Sequence, residues 1–546
     1  MIFGSIDELS EVSDRSLKLG RLVAVNQFTK ALVRHGHFEE YRFYCSTQGS
    51  LDGARKRLET ALQPEELERI SLTLVPNFHA DLASAPFGVV HSASGWTALS
   101  NLAPVRNQFA PSPFPLTCLI HSLNDSMAYL KALKISLSYA RPFDAIIATS
   151  EAGKRALQSF FEAVSENCRG RLDLEFPGVI AKIPLGVDQE IFRPLDRAAC
   201  RETLGLPPRA TVLLHLGRLS AHDKSDPGPL FYLFQRLAKG RPALDLRLLL
   251  AGGAEPENVQ HFEATCRELG IADRVIFRPN FEDEEKPLLY GAADIFLSLA
   301  DSLQETFGIS VVEAMASGKP VVVSDFDGYR DLVEDGRSGF LVPTYWGSAD
   351  GFLRGIAPLV NSRVYQLFLS QSVVVDIGKL EATLLRLLDS PDQRPAIGEA
   401  ARRRAVERFS WKTVIGQYEQ LWKELGERAQ SAPDLPDPPP DPFAVDYFRC
   451  FSHYPTRLVE GSWRVSLTPF GKEAIAGAGL PAIYRDVGIL LSEEWLKHLL
   501  QSVVAKPVAL GALLASAREK LGAPEEHILY HILWLAKYDV LALEPT

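Results

Sequence analysis

The chain has no closely spaced pair of cysteines. Its six (Cys45, Cys118, Cys168, Cys200, Cys266 and Cys450) are scattered along 546 residues. This excludes a CxxC zinc framework and a disulfide scaffold, and free thiols in a long chain suit a reducing compartment. No apolar run approaches the ~18–20 residues that a membrane-crossing helix needs. The opening MIFGSIDELSEVSDRSLK has acids where a secretory leader has basic residues. The expectation is a cytoplasmic protein, at most peripheral at the inner face of a membrane. There is no basic excess either: the formal net charge is −10. That argues against a nucleic-acid partner, yet leaves room for a local basic pocket.

Hydrophobic residues make up 46% and charged residues 23%, as in ordinary soluble proteins. The length exceeds one core, so two or three domains are expected. ATVLLHLGRL, LRLLLAGG, RVIFRPNF, DIFLSLA, PVVVSDF and GFLVP read as near-continuous apolar strands. Amphipathic or apolar helices such as PGPLFYLFQRLAKG and GISVVEAMASG alternate with them. This rhythm predicts a parallel sheet covered on both faces, doubly wound and Rossmann-like. The first 200 residues repeat it more loosely, with FGVVHSASG, PLTCLIHSLND and FDAIIATSEAG as strands running into loops.

The expected organisation is a first α/β domain over 1–200 and a second over 201–406, with an insertion at 345–376. A helix at 407–428 follows, with Trp411, Ile415, Tyr418 and Leu421 on one face. A proline-rich linker at 429–445 leads to a small, mainly helical module over 446–546. SLTPFGKEAI and the terminal helix and strand give that module a winged-helix-like flavour.

In an open parallel sheet, ligands bind beyond the carboxyl ends of the strands. Gly217 and Arg218 follow the first strand of the second domain, and Lys224 comes six residues later. Glycine admits close backbone approach, while arginine and lysine suit a diphosphate. The alternative is two solvated cations. The loop Glu305, Thr306, Phe307, Gly308 runs into a helix beginning near Gly308, whose free N–H groups suit phosphate. Glu313 sits among apolar residues, where a carboxylate is costly unless paired or liganded. It reads either as a ribose ligand or as half of an internal ion pair. In the first domain, His121 stands at a strand end, with His91 as a rival.

GRLSAHDK, the E-x7-E segment ETFGISVVEAMASGKPVV, and DGYRDLVEDGRSGFLVPT together resemble the donor-binding domain of retaining glycosyltransferases of the GT-B fold, family GT4 (glycosyl transferases group 1). IPLGVDQEIFRP and RFSWKTVIGQYEQLW resemble that family's domain junction and returning helix. The likeness covers about residues 90–426. It implies transfer of a sugar from a UDP-, GDP- or ADP-sugar with retention of anomeric configuration, and no cofactor. By position, Arg218 and Lys224 hold the diphosphate and Glu313 the ribose. Glu305, with the Phe307–Ile309 backbone, faces the sugar, and His121 lies across the cleft. The Arg278–Pro279–Asn280 backbone takes the base. Glu305 is not expected to be a covalent nucleophile. Asp325-Phe326-Asp327 matches a D-x-D metal signature of a different fold, and metal independence is expected.

The family's glycine-rich loop after the first strand is missing here: only Gly4 is present. A rival class is therefore a catalytically weak nucleotide-sugar- or glycan-binding scaffold whose last module recruits a protein partner. A third is an enzyme acting on a nucleotide-sugar without transfer, such as an epimerase. Lys131, Lys134 and Arg141 mark an ordinary amphipathic helix that could touch a lipid-linked acceptor.

Overall fold

The computed structural model describes residues 1–7, 20–170, 172, 174–222, 224–347, 350–432, 443, 445–484, 487–488 and 490–545. The chain divides into two compact units, Met1–Pro442 and Phe443–Thr546.

The first unit holds two parallel sheets. The first contains β1 (Ile2–Ser5), β2 (Glu40–Cys45), β3 (Ile70–Leu74), β4 (Phe87–Ser92), β5 (Leu116–Leu119), β6 (Ala145–Ala148) and β7 (Val179–Lys182), in the order β3-β2-β1-β4-β5-β6-β7. The second contains β8 (Thr211–Leu216), β9 (Leu246–Gly252), β10 (Val275–Pro279), β11 (Ile295–Ser298), β12 (Val321–Ser324) and β13 (Phe340–Val342), in the order β10-β9-β8-β11-β12-β13. Both are doubly wound Rossmann orders. Each has a switch point where the winding reverses, between β1 and β4 and between β8 and β11. Every residue of β8, β11 and β12 is buried. Burial on both faces is why these strands read as unbroken apolar runs.

The chain crosses between the sheets twice at one place, where the Val187 N–H donates to the Phe409 carbonyl at 2.7 Å. The Trp411–Gln430 helix then packs back on the first sheet's Gly20–His35 helix. Its buried face includes Trp411, Val414, Ile415, Tyr418, Trp422 and Leu425. Each large side chain on such a face contributes about 1.5–3 kcal/mol. Trp422 also donates from Nε1 to Thr117 Oγ1 at 3.0 Å, which fixes the helix's register on β5.

The stretch read as an insertion begins with β14 (Thr344–Trp346) and returns through β15 (Val373–Val375), an antiparallel pair enclosing the Asp350–Ile356 and Ser362–Ser370 helices. Gly4 lies within β1, where a Cβ would sit 2.9 Å from Phe87 and Val90 atoms. It is a packing glycine. The segment after β1, where the resemblance places a glycine-rich loop, falls largely outside the described residues, as does most of the proline-rich linker.

The second unit is built on β16 (Arg464–Leu467), β17 (Val508–Ala509) and β18 (Leu541–Glu544), antiparallel in the order β17-β16-β18. Three helices, Glu493–Val503, Leu510–Leu521 and Glu525–Lys537, cover the sheet. Their core, including Leu496, Leu514, Ile528 and Leu535, is its own.

Candidate active site

The carboxyl ends of both sheets meet along one seam. Thr149 Oγ1, just after β6, donates to the Thr306 carbonyl at 3.1 Å. Thr306 Oγ1 donates to the His121 carbonyl at 2.5 Å. The Glu151 N–H donates to Asp331 Oδ2 at 2.6 Å. Beside this seam lies a cleft of about 770 Å³. One wall is the second sheet's rim: Gly217, Arg218 and Lys224 after β8, Gly252 and Gly253 at the end of β9, Asn280 and Phe281 after β10, and Ile309 and Ser310. The other is a face of the Gly20–His35 helix, with Asn26, Lys30 and Arg34 one turn apart. The crossing segments close the end with Asp188–Phe192 and Ser410–Lys412.

Two glycines make this rim. A Cβ on Gly252, at φ +153°, would lie 1.7 Å from the Gly217 carbonyl oxygen, so only glycine lets the β8 and β9 tips meet. Gly308, at φ +101°, starts the Ile309–Ala316 helix with the Tyr329 ring 2.3 Å from where a Cβ would be. No side chain caps that helix. Its first turn opens on the cleft at Ile309 and Ser310, a suitable seat for an anion.

Lys224 is ion-paired with Glu305. Glu305 Oε1 also accepts from the Phe307 N–H at 3.2 Å and the Thr306 N–H at 3.3 Å, and Oε2 from the Tyr329 hydroxyl at 3.3 Å. Burial works against its charge. Lys224 and the two N–H groups outweigh that and hold the carboxyl below its usual range. Tyr329 is in turn fixed by Ser298 Oγ at 2.7 Å.

Glu313, 1% exposed, has both oxygens engaged: Oε1 with Lys286 Nζ at 2.6 Å and Oε2 with the Tyr290 hydroxyl at 2.8 Å. The ion-pair alternative is therefore realised, and Lys286 is the member that lines the cleft. Nothing in the apolar setting of Glu313 named its partner, which comes from the charged run EDEEK twenty-seven residues earlier.

Among the sequence-derived site residues, Gly217, Arg218, Lys224, Asn280 and Ile309 line the cleft. Glu305, Thr306, Phe307 and Gly308 form the seam loop behind Lys224. Asn280 adopts φ +53°, and its side chain exchanges two 3.0 Å bonds with the Ala254 backbone, bracing the β9 tip. Arg278 turns away to the Leu204 carbonyl, and Pro279 is exposed. The His121 ring is bonded to the Ala93 carbonyl rather than lining the cleft. His91 is a core residue: Nδ1 meets Thr117 Oγ1 at 2.8 Å, the rings of Phe28, Tyr418 and Trp422 surround it, and burial lowers its pKa to about 4. Asp325 accepts from Arg330 at 2.7 Å. Among the described residues, no three His, Cys, Asp or Glu side chains are grouped to hold a metal ion, and no helix is long and apolar enough to cross a membrane.

Two doubly wound sheets facing a cleft, with a returning terminal helix, define the GT-B class. Solved structures agree. Sucrose-phosphate synthase from Thermosynechococcus elongatus superposes with a TM-score of 0.52 at 20% identity, over 78% of this chain and 99% of its own. Anabaena Alr3699/HepE in complex with UDP gives 0.53 at 18% identity, over 78% and 99%. Residues 196–371 match the family model "Glycosyl transferases group 1". A D-inositol 3-phosphate glycosyltransferase of Mycobacterium sp. (strain KMS) is 36% identical over 246 residues, 43% of this chain and 53% of that relative. One from Thermobispora bispora is 32% identical over 260 residues, 46% and 52%. The chain thus spans about half the length of the curated relatives it matches. Within its second sheet domain, the matched stretch is similar to the glycosyl transferases group 1 family.

Proposed function

We propose that this protein transfers a sugar from a nucleoside diphosphate-sugar (UDP, GDP or ADP) to an acceptor, with retention of anomeric configuration, in glycan or glycoconjugate synthesis. The observation that carries this is the convergence of Arg218, Lys224 and the uncapped Ile309–Ala316 helix start on one cleft wall, at the β8–β11 switch point. A diphosphate there meets two cations and free backbone N–H groups, each charged contact contributing about 1.5–3 kcal/mol.

As the bond between the anomeric carbon and the diphosphate oxygen breaks, negative charge grows on that oxygen, where Arg218 and Lys224 stabilise it. The acceptor oxygen bonds the same face of the carbon, and its proton passes to the leaving diphosphate. Glu305 stays ionised against Lys224 and positions it. With its oxygens engaged by Lys224, Tyr329 and two N–H groups, it is a poor candidate for a nucleophile. The scheme invokes no cofactor. Exposed Tyr447, Phe448 and Tyr454 favour a protein contact for the second unit.

The named activity of the relatives makes D-inositol 3-phosphate the first acceptor to try. Proton NMR of the product, with each donor sugar in turn, should show the donor's anomeric configuration retained and one nucleoside diphosphate released per bond. An inverted product would overturn the mechanism.

A further inference from the structure

Resting on that reading of the cleft, we propose that Asp301 and Gln371 are positioning residues for the donor: they grip Asp226 from two sides and so hold the loop that carries Lys224. Lys224 lies on the loop between β8 and the Gly228–Gly240 helix, and Glu305 on the loop after β11. Their ion pair joins the two loops once. Asp226 and Asp301 join them again, the Asp226 N–H donating to Asp301 Oδ2 at 3.2 Å. The Asp226 carboxylate accepts at both oxygens, from the Gly228 N–H at 2.8 Å and from Gln371 Nε2 at 3.0 Å. Gln371 closes the Ser362–Ser370 helix of the segment read as an insertion. Gln366 on that helix donates to the Asn124 carbonyl of the first domain at 2.5 Å. The segment therefore braces the Lys224 loop with its foot on the facing domain.

Asp301 is 6% exposed, and its Oδ1 is buried with no hydrogen-bond partner. A charge is costly there, and the neutral acid fits. The charged group facing it is Asp226; Lys224 and Glu305, on the same two loops, are paired with each other. Burial raises the Asp301 pKa to about 7, the Asp226 N–H working against the rise and the Asp226 charge adding to it. Neutral Asp301 lets the Asp226 carboxylate stay beside it. Ionised, the two carboxylates repel, and the loop between Lys224 and Asp226 is displaced. Neither Asp301 nor Gln371 lines the cleft, so each reaches the donor through Lys224.

The test is calorimetric titration of the full chain with UDP-, GDP- and ADP-glucose, whose phosphates carry no proton to lose near neutral pH. For whichever binds, wild-type affinity should fall by up to about tenfold between pH 6 and pH 8, as the competent neutral form of Asp301 is depleted. Asp301→Asn, which never ionises, should keep the pH 6 affinity and flatten the fall. Gln371→Ala should weaken binding about fivefold, the loss of one hydrogen bond to a charged group, and Gln371→Lys, still a donor, should restore it. In a Lys224→Ala background Gln371→Ala should cost nothing further. A merely structural pair would lower the melting temperature of the variants while leaving the pH profile of Asp301→Asn like that of wild type. That result, or an equal loss from Gln371→Ala with and without Lys224, overturns the inference. No binding of any of the three to folded wild type would instead sink the donor-site reading itself.

Discussion

Asp327 shows what a single residue can store. Its backbone is left-handed, at φ +47°, a conformation that aspartate and asparagine tolerate better than most. Gly328 beside it is packed against the Thr306 carbonyl and Phe307, so the side chain is held at the seam near Glu305. Burial, then the charge of Glu305, push its pKa up to about 8. The folded chain therefore keeps a proton that the unfolded chain releases near 3.9. The stability linked to that proton is whole below about pH 3.9 and is lost as pH rises through about 8. Asp327→Asn should flatten the fall in unfolding free energy between pH 5.5 and 7.5, by up to about 1.4 kcal/mol per pH unit. Urea denaturation at both pH values checks this; equal slopes for variant and wild type would refute the buried proton.

At the level of elements, the sheet rim depends on β8 and β9 touching at their tips. Gly252→Ala sets a methyl against backbone, which cannot swing aside as a side chain would. Such overpacking typically costs about 1–3 kcal/mol, and here it also displaces Gly217 and Arg218. The variant should melt lower and lose nucleotide affinity. Gly416→Ala, in the returning helix with nothing within 4 Å of the added methyl, should be neutral or stabilising. Comparable melting of the two variants would contradict the rim's role.

The same strands explain what could be read from the sequence. β8, β9, β11 and β12 are buried on both faces, so apolar runs announced them, and Gly217, Arg218 and Lys224 followed from their ends. The first-domain wall gave no such signal. Asn26, Lys30 and Arg34 are the polar stripe of an amphipathic helix, and a stripe facing a cleft looks the same in sequence as one facing water. Lys286 was hidden likewise, one charge in the acidic run EDEEK. Glu313 was visible as an acid in apolar surroundings, but its partnership with Lys286 depends on how two helices pack.

On the scale of the whole molecule, a chain of net charge −10 keeps a cleft lined by Lys30, Arg34, Arg218, Lys224, Lys286 and Lys412 against Asp188, Glu190 and Asp283. That local reversal of sign draws an anionic ligand to the place where the two sheets meet. The central claim is that this ligand is a nucleoside diphosphate-sugar held by Lys224. The most direct measurement is calorimetric titration of UDP-, GDP- and ADP-sugars into the full chain and into Lys224→Ala, with melting temperatures taken alongside. One series should bind at a single site and weaken at least about tenfold in the folded variant, the loss expected for one charged contact. Equal affinity in both proteins, or no binding of any of the three to folded wild type, would contradict it.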